Sequence, residues 1–129
     1  MKTIMKREEI FALLDTYFQA LQAGKVEDLP FTDNITFEGP MAGAIQGEKE
    51  VRKLVVDVAN TFKDIKIDVL GHVVDGNQIC SRAIMTLPNG KSVALLDYFR
   101  FEDGKIAHIQ PYFDSRPMLD IWGFADNQN

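Results

Sequence analysis

The sequence offers little from which to build a metal, redox or disulfide site. Cys80 is its one cysteine in 129 residues, so no disulfide can close within the chain, and thiolate zinc sites need more sulfur than this. Histidine is nearly as scarce, with His72 and His108 alone. No metal site is therefore expected. No apolar run approaches the roughly 18 residues that mark a transmembrane helix. Positive charge is also short: 14 Lys and Arg stand against 19 Asp and Glu, for a formal net charge of −5. That balance argues against nucleic acid as a partner and against an anionic membrane surface. Residues 1–10 are charged and lack an apolar h-region, so no signal peptide is expected and the cytoplasm is the expected address. Repeats, low-complexity tracts and linkers are missing too, so residues 1–129 are expected to form a single domain. What is present is an ordinary globular mixture, 46% hydrophobic and 26% charged. A chain of this length can form a core without covalent staples.

The first half has helical periodicity. Ile10, Leu14, Tyr17, Phe18 and Leu21 recur at three- and four-residue spacing and form one apolar stripe. Gly24 is placed to end that helix. A short helical turn is expected over 26–29, stopped by Pro30. Ile35-Thr36-Phe37-Glu38 alternates as a short strand, broken by Gly39-Pro40. A second long helix is expected from about Gly47, with Glu48 and Glu50 in its first turn, where the macrodipole favours anions. Its buried stripe is Val51, Leu54, Val55, Val58 and Phe62.

The second half switches to period two. Ile65, Ile67 and Val69 alternate with Lys66 and Asp68. Strands are expected over 78–87, 92–101 and 105–113, separated by turns at Asn89-Gly90, read as type I′, and at Asp103-Gly104. Residues 115–124 read as a closing helix, with Ser115 as N-cap and Met118, Leu119, Ile121 and Trp122 on its apolar side. Helices followed by an antiparallel meander predict an α+β fold in which helices pack inside a curved sheet, a cone with an open mouth.

Several motifs in that order carry a family resemblance. They are Tyr17-Phe18-Gln19-Ala20-Leu21 with Gly24, Ile35-Thr36-Phe37-Glu38-Gly39-Pro40, Ile45-Gln46-Gly47, Asn89-Gly90-Lys91-Ser92, and Phe99-Arg100-Phe101 through Gly104-Lys105-Ile106 to Pro111-Tyr112-Phe113-Asp114. In these the chain resembles the SnoaL-like and ketosteroid-isomerase-like proteins of the nuclear transport factor 2 superfamily, over nearly its whole length. The resemblance implies a cone-shaped α+β barrel around an apolar pocket, acting without a cofactor. The fold hosts isomerases, cyclases, hydrolases and non-enzymes.

Alternation sorts each strand into two faces without saying which is inner. The resemblance places Asp97, Phe99, Ile109, Pro111 and Phe113 inside, and with them Cys80, Arg82, Ile84 and Thr86. It implies a pocket lined by Leu21, Phe37, Leu54, Val58, Phe62, Leu95, Phe99, Ile109 and Phe113. Three polar groups join them as candidate catalytic residues. Tyr17 matches an oxyanion-hole tyrosine of the ketosteroid isomerases, and Asp97 matches their oxyanion-hole aspartic acid, which stays neutral in an apolar site. Arg82 is expected either to pair with Asp97 or to clamp an acidic substrate group. The chain also departs from its relatives. Gly39 stands where the isomerases carry their general base, Val55 replaces a supporting tyrosine, and Pro111 replaces the last-strand aspartate of the epoxide hydrolases.

His108 shares its parity with Gln110 and Tyr112 and is expected on the outer sheet face. His72 is expected near a strand end in solvent, Cys80 as a small apolar filler, and Asp114 as a turn or cap residue. The outer set Ala83, Met85, Ala94, Leu96, Tyr98 and Tyr112 is apolar enough to predict a two-fold homodimer through the sheet. Two functions follow as expectations. One is a cofactor-independent isomerase, cyclase or hydrolase for a hydrophobic carbonyl or epoxide, working through Tyr17, Asp97 and Arg82. The other is a non-catalytic small-ligand-binding or dimerisation module.

Overall fold

The computed structural model of the chain describes residues 4–118. Helix α1 spans Arg7–Ala23 and buries Ile10, Leu13, Leu14, Tyr17, Phe18 and Leu21. The Glu9 carboxylate accepts the Lys6 backbone N–H at 3.1 Å. Gly24 ends the helix at φ 70°, and Lys25 N–H closes onto the Ala20 carbonyl. Residues 26–29 form a turn, with the Leu29 N–H on the Val26 carbonyl at 3.3 Å.

Strand β1 (Phe31–Gly39) turns into the short β2 (Gly43–Gln46), and α2 (Glu48–Phe62) follows. Arg52 on α2 ties down the chain ahead of β1. Its guanidinium donates to the Glu27 and Leu29 carbonyls at 2.7 and 2.9 Å, pairs with Glu48, and lies over the Phe31 ring at 4.4 Å. The remaining strands are β3 (Lys66–Asp75), β4 (Gln78–Thr86), β5 (Ser92–Glu102) and β6 (Lys105–Phe113), and a 3-10 turn covers Arg116–Met118. The rest of the expected closing helix, with Leu119, Ile121 and Trp122, lies outside the described residues.

The six strands form one curved, unclosed sheet in the order β2-β1-β6-β5-β4-β3. It is mixed rather than wholly antiparallel, because β1 runs parallel to β6. The β1-to-β6 contact joins strands far apart in the chain, so hairpin signals could not reveal it. The helices fill the concave side. Most of the core lies between them and the sheet, and a smaller cluster of Ile65, Ala83, Met85, Leu87, Val93, Leu95 and Met118 fills one end.

The turn between β4 and β5 differs from its sequence reading, and the difference propagates. A type I′ turn needs positive φ at both central residues. At Asn89-Gly90 only Gly90 has it, at 86°. The loop is three residues long, Pro88-Asn89-Gly90. Gly90 N–H donates to the Leu87 carbonyl at 2.9 Å, and Leu87 N–H to the Lys91 carbonyl at 2.8 Å. This is a type I corner begun by proline and completed by a left-handed glycine. The type I′ pattern occurs instead at Asp103-Gly104, with φ 50° and 81°.

A loop longer by one residue shifts the pairing by one, and a one-residue shift exchanges the two faces of a strand. Ser81, not Arg82, therefore stands opposite Asp97, and Arg82 stands opposite Leu96. The inner face of β4 is Ile79, Ser81, Ala83 and Met85, all buried, while Arg82 is exposed. This corrects the inward placement of Cys80, Arg82, Ile84 and Thr86, and the outward placement of Ala83 and Met85.

The register makes a direct prediction about stability. Met85 is fully buried, so Met85→Ala should cost about 2–5 kcal/mol in denaturant unfolding. Arg82→Ala should stay within about 0.5 kcal/mol, as exposed substitutions do. The reverse order would place Arg82 inside.

Candidate functional site

A cavity of about 50 Å³ lies where the two parts of the core meet. Helix α1 supplies Tyr17 and Leu21, α2 supplies Val58, and the β1-to-β2 corner supplies Phe37 and residues 39–42. Ile67, Leu95, Asp97, Pro111 and Phe113 complete it from β3, β5 and β6. Tyr17 and Asp97 are the polar side chains in this lining. The volume is well under the roughly 300–1,000 Å³ of drug-sized ligand sites and has room for a few waters at most.

Asp97 projects inward because β5 alternates Val93, Leu95, Asp97, Phe99 and Phe101 on its buried face. Asp97 is 5% exposed and, Tyr17 apart, faces an apolar wall. No hydrogen-bond or ion-pair partner meets it among the described residues. Burial raises its pKa to about 7 from an ordinary 3.8, because desolvation penalises the charged form. Tyr17 sits above it on α1, edge-on to Phe99 at 5.0 Å and to Phe18 at 5.3 Å. Burial, and then the charge of Asp97, push the Tyr17 hydroxyl well above its ordinary value. Tyr17 therefore stays a hydrogen-bond donor at any physiological pH. Its hydroxyl too has no partner among the described residues, and both groups line the cavity.

The structure does not bring Arg82 to this site. It lies on the outer face, beside a cleft it shares with Leu96 and Tyr112. The expected pairing of Arg82 with Asp97 and the expected inward clamp are both corrected by the β4 register. Of the expected lining, Leu21, Phe37, Val58, Leu95 and Phe113 border the cavity. Phe99 and Ile109 lie fully buried in the core, and Leu54 packs half-buried against it. The Phe62 side chain lies outside the described residues.

Gly39 borders the cavity where a base was expected in the isomerases. A Cβ there would meet the Phe37 ring at 3.0 Å and the Pro111 ring at 3.3 Å, so neighbouring side chains already fill the place of a carboxylate. Sequence reasoning missed Met41, Ala42 and Ile67 as lining. It also missed Ser81 and misplaced His72. His72 is half-buried, with Nδ1 2.7 Å from Ser81 Oγ and its ring 5.5 Å from Phe11. A bulge at Leu70 turns it inward, since Val69 pairs with Ala83 and the next pairing is Gly71 with Arg82. His108 is on the outer face as expected, bonded to Thr36 and Gln110. Asp114 caps the last turn by accepting the Arg116 N–H. No cluster of His, Cys, Asp or Glu able to hold a metal occurs among the described residues.

Comparison with known proteins gives three results. A family of SnoaL-like domains matches residues 14–109. No curated protein sequence matches the chain. Among solved structures, a de novo designed protein with a curved β-sheet superposes with a TM-score of 0.75 at 22% identity, over 93% of this chain and 99% of that one. An NTF2-like protein of unknown function from Mesorhizobium loti superposes at 0.73 with 19% identity, over 87% and 96%. Another from Cytophaga hutchinsonii gives 0.67 with 27% identity, over 92% and 99%.

The pKa of Asp97 predicts how stability depends on pH. Its folded value of about 7 exceeds its ordinary 3.8, so the native state holds this proton more tightly than the unfolded chain. The resulting stabilisation is complete below about pH 4 and lost as pH rises through about 7. Asp97→Asn removes that dependence. Relative to the wild type it should gain on the order of 4 kcal/mol between pH 4 and 8. Equal pH profiles of unfolding for the two proteins would exclude a buried, titrating Asp97.

Proposed function

The chain belongs to the family of SnoaL-like domains, and on that premise we propose that it is a cofactor-independent acid–base enzyme acting on a compact hydrophobic carbonyl compound. The observation that carries this reading is the Asp97 carboxyl, without a partner among the described residues and raised to a pKa of about 7, beside Tyr17 in an apolar cavity. A general acid–base is most effective when its pKa lies near the working pH. As carboxylate, Asp97 takes a proton from the carbon next to the substrate carbonyl. Negative charge moves to the carbonyl oxygen, where the Tyr17 O–H donates a hydrogen bond. Asp97 then returns the proton to another carbon, and the product is an isomer. The apolar wall excludes water and strengthens both interactions. Arg82 has no part in this chemistry.

A second reading, a non-catalytic small-ligand or dimerisation module, is favoured by the small volume of the cavity. The two are separated by a thermal-shift screen of small carbonyl compounds, followed by turnover assays on the hits. A true ligand raises the melting temperature by mass action. For the enzyme, Asp97→Asn should lower kcat by about 100- to 10,000-fold and Tyr17→Phe by about 100- to 1,000-fold, with the fold retained. Ligands that stabilise the protein but are never converted support the binder.

We also propose a two-fold homodimer through the convex sheet face. Tyr112, 51% exposed, and the half-buried Leu96, Ile84 and Tyr98 give that face its apolar character. Leu96→Glu should produce a monomer in sedimentation, and an unchanged mass in wild type and variant would overturn this assembly.

A further inference from the structure

Phe37 and Gly39 stand two apart on β1 and share a face of the sheet. Glycine leaves that face open at its own position, and the Phe37 ring leans along the strand into the opening. A Cβ at position 39 would stand 3.0 Å from one ring carbon of Phe37, 3.4 Å from another and 3.3 Å from the Pro111 ring. Both Phe37 and Pro111 line the cavity. Pro111 is also the direct cross-strand partner of Asp97, and paired side chains on one face sit about 4.5–5.5 Å apart at Cβ. Phe37 thus packs beside the residue that stands next to the acid. It is buried there, with its strand paired to Ile45 on one side and Ile109 on the other.

Two properties of the cavity bear on what enters it. Its lining contains no Lys or Arg, so nothing in it pairs with a phosphate or carboxylate group, and an ionised Asp97 repels one. Its volume is about 50 Å³. An apolar void of roughly 150 Å³ takes up benzene, so a six-membered ring does not fit. A single water takes about 10–15 Å³ of cavity, which leaves room for a short chain of bonded atoms.

We propose that Phe37 is the specificity-determining residue of this site, its ring restricting the substrate to an uncharged, open-chain carbonyl compound of about four to six non-hydrogen atoms. This deepens the acid–base reading and rests on it. Of the other lining groups, Tyr17 and Asp97 perform the chemistry, and the Pro111 ring is tied to its own backbone. Phe113 pairs with Leu95 and lies half-buried at the end of β6. Phe37 is the side chain whose shortening opens space beside Asp97 without removing a reacting group.

The test compares two simple ketones, butanone as the open chain and cyclohexanone as the ring, on wild type, Phe37→Ala, Phe37→Val and Asp97→Asn. Saturation-transfer NMR reads binding, and deuterium exchange beside the carbonyl in heavy water reads proton abstraction. Wild type should bind butanone and exchange its protons, and should leave cyclohexanone unbound. Trimming Phe37 should shift the preference toward cyclohexanone by on the order of 100-fold. Phe37→Val keeps a branched apolar side chain in the core should the alanine variant fail to fold. Cyclohexanone bound by wild type as well as butanone would overturn the size limit. So would a wild-type preference in the folded Phe37 variants, or binding of neither ketone. Binding in the expected size order, with exchange absent or unchanged in Asp97→Asn, would overturn the acid–base reading and leave the size limit standing as a limit on ligands.

Discussion

The pairing of β4 with β5 is the constraint on which the cavity depends. It is fixed by three residues, Pro88-Asn89-Gly90, closed by the Leu87-to-Lys91 hydrogen bond. With this loop, Ile79, Ala83 and Met85 face the core and Arg82 faces out. A loop one residue shorter would reverse the strand. It would bury a guanidinium and expose three apolar side chains, of which the larger two are each worth about 1.5–3 kcal/mol when buried. The turn chemistry and the hydrophobic pattern of β4 therefore agree, and that agreement is what makes the register secure.

The electrostatic character of the site follows from this register. An arginine opposite Asp97 would favour the carboxylate and hold its pKa low. A serine supplies no charge, so desolvation by Leu95, Phe99 and the cavity wall acts unopposed. The same residue in the same strand is a structural ion-pair partner in one register and a titrating acid in the other. Tyr17 responds to the same low-polarity surroundings in the opposite functional sense. It is held as a permanent donor, while Asp97 is brought into the range where protons exchange.

Much of the fold was legible in the sequence because its signals are local. The stripe from Ile10 to Leu21 defines α1, the turn residues separate β3 to β6, and period-two alternation identifies Asp97 as sharing a face with Leu95 and Phe99. What was not legible depends on a single backbone dihedral or on distant pairing. Asn89-Gly90 fits two turn types, and only the φ of Asn89 separates them. The bulge at Leu70, which aims His72 inward, leaves no clear mark in Val69-Leu70-Gly71. The parallel contact of β1 with β6 joins segments some seventy positions apart. A local signal does exist on β4: Ile79, Ser81, Ala83, Met85 and Leu87 form a more apolar set than Gln78, Cys80, Arg82, Ile84 and Thr86.

The small cavity and the altered placement of the acid are two sides of one packing arrangement. At Gly39 the Phe37 and Pro111 rings stand within 3.0–3.3 Å of where a Cβ would be, so a carboxylate there would have to displace both. Both rings also line the cavity of about 50 Å³. What remains is a single carboxyl rising from β5, faced by one phenol. Reactions that need an acid and a base at once, on opposite sides of a substrate, have no pair of groups in this lining to perform them. Reactions in which one group removes a proton and gives it back need only Asp97, with Tyr17 stabilising the charge that appears between the two steps. On the proposed acid–base reading, transfer therefore runs along one face of a small substrate, with the proton held on Asp97 in between.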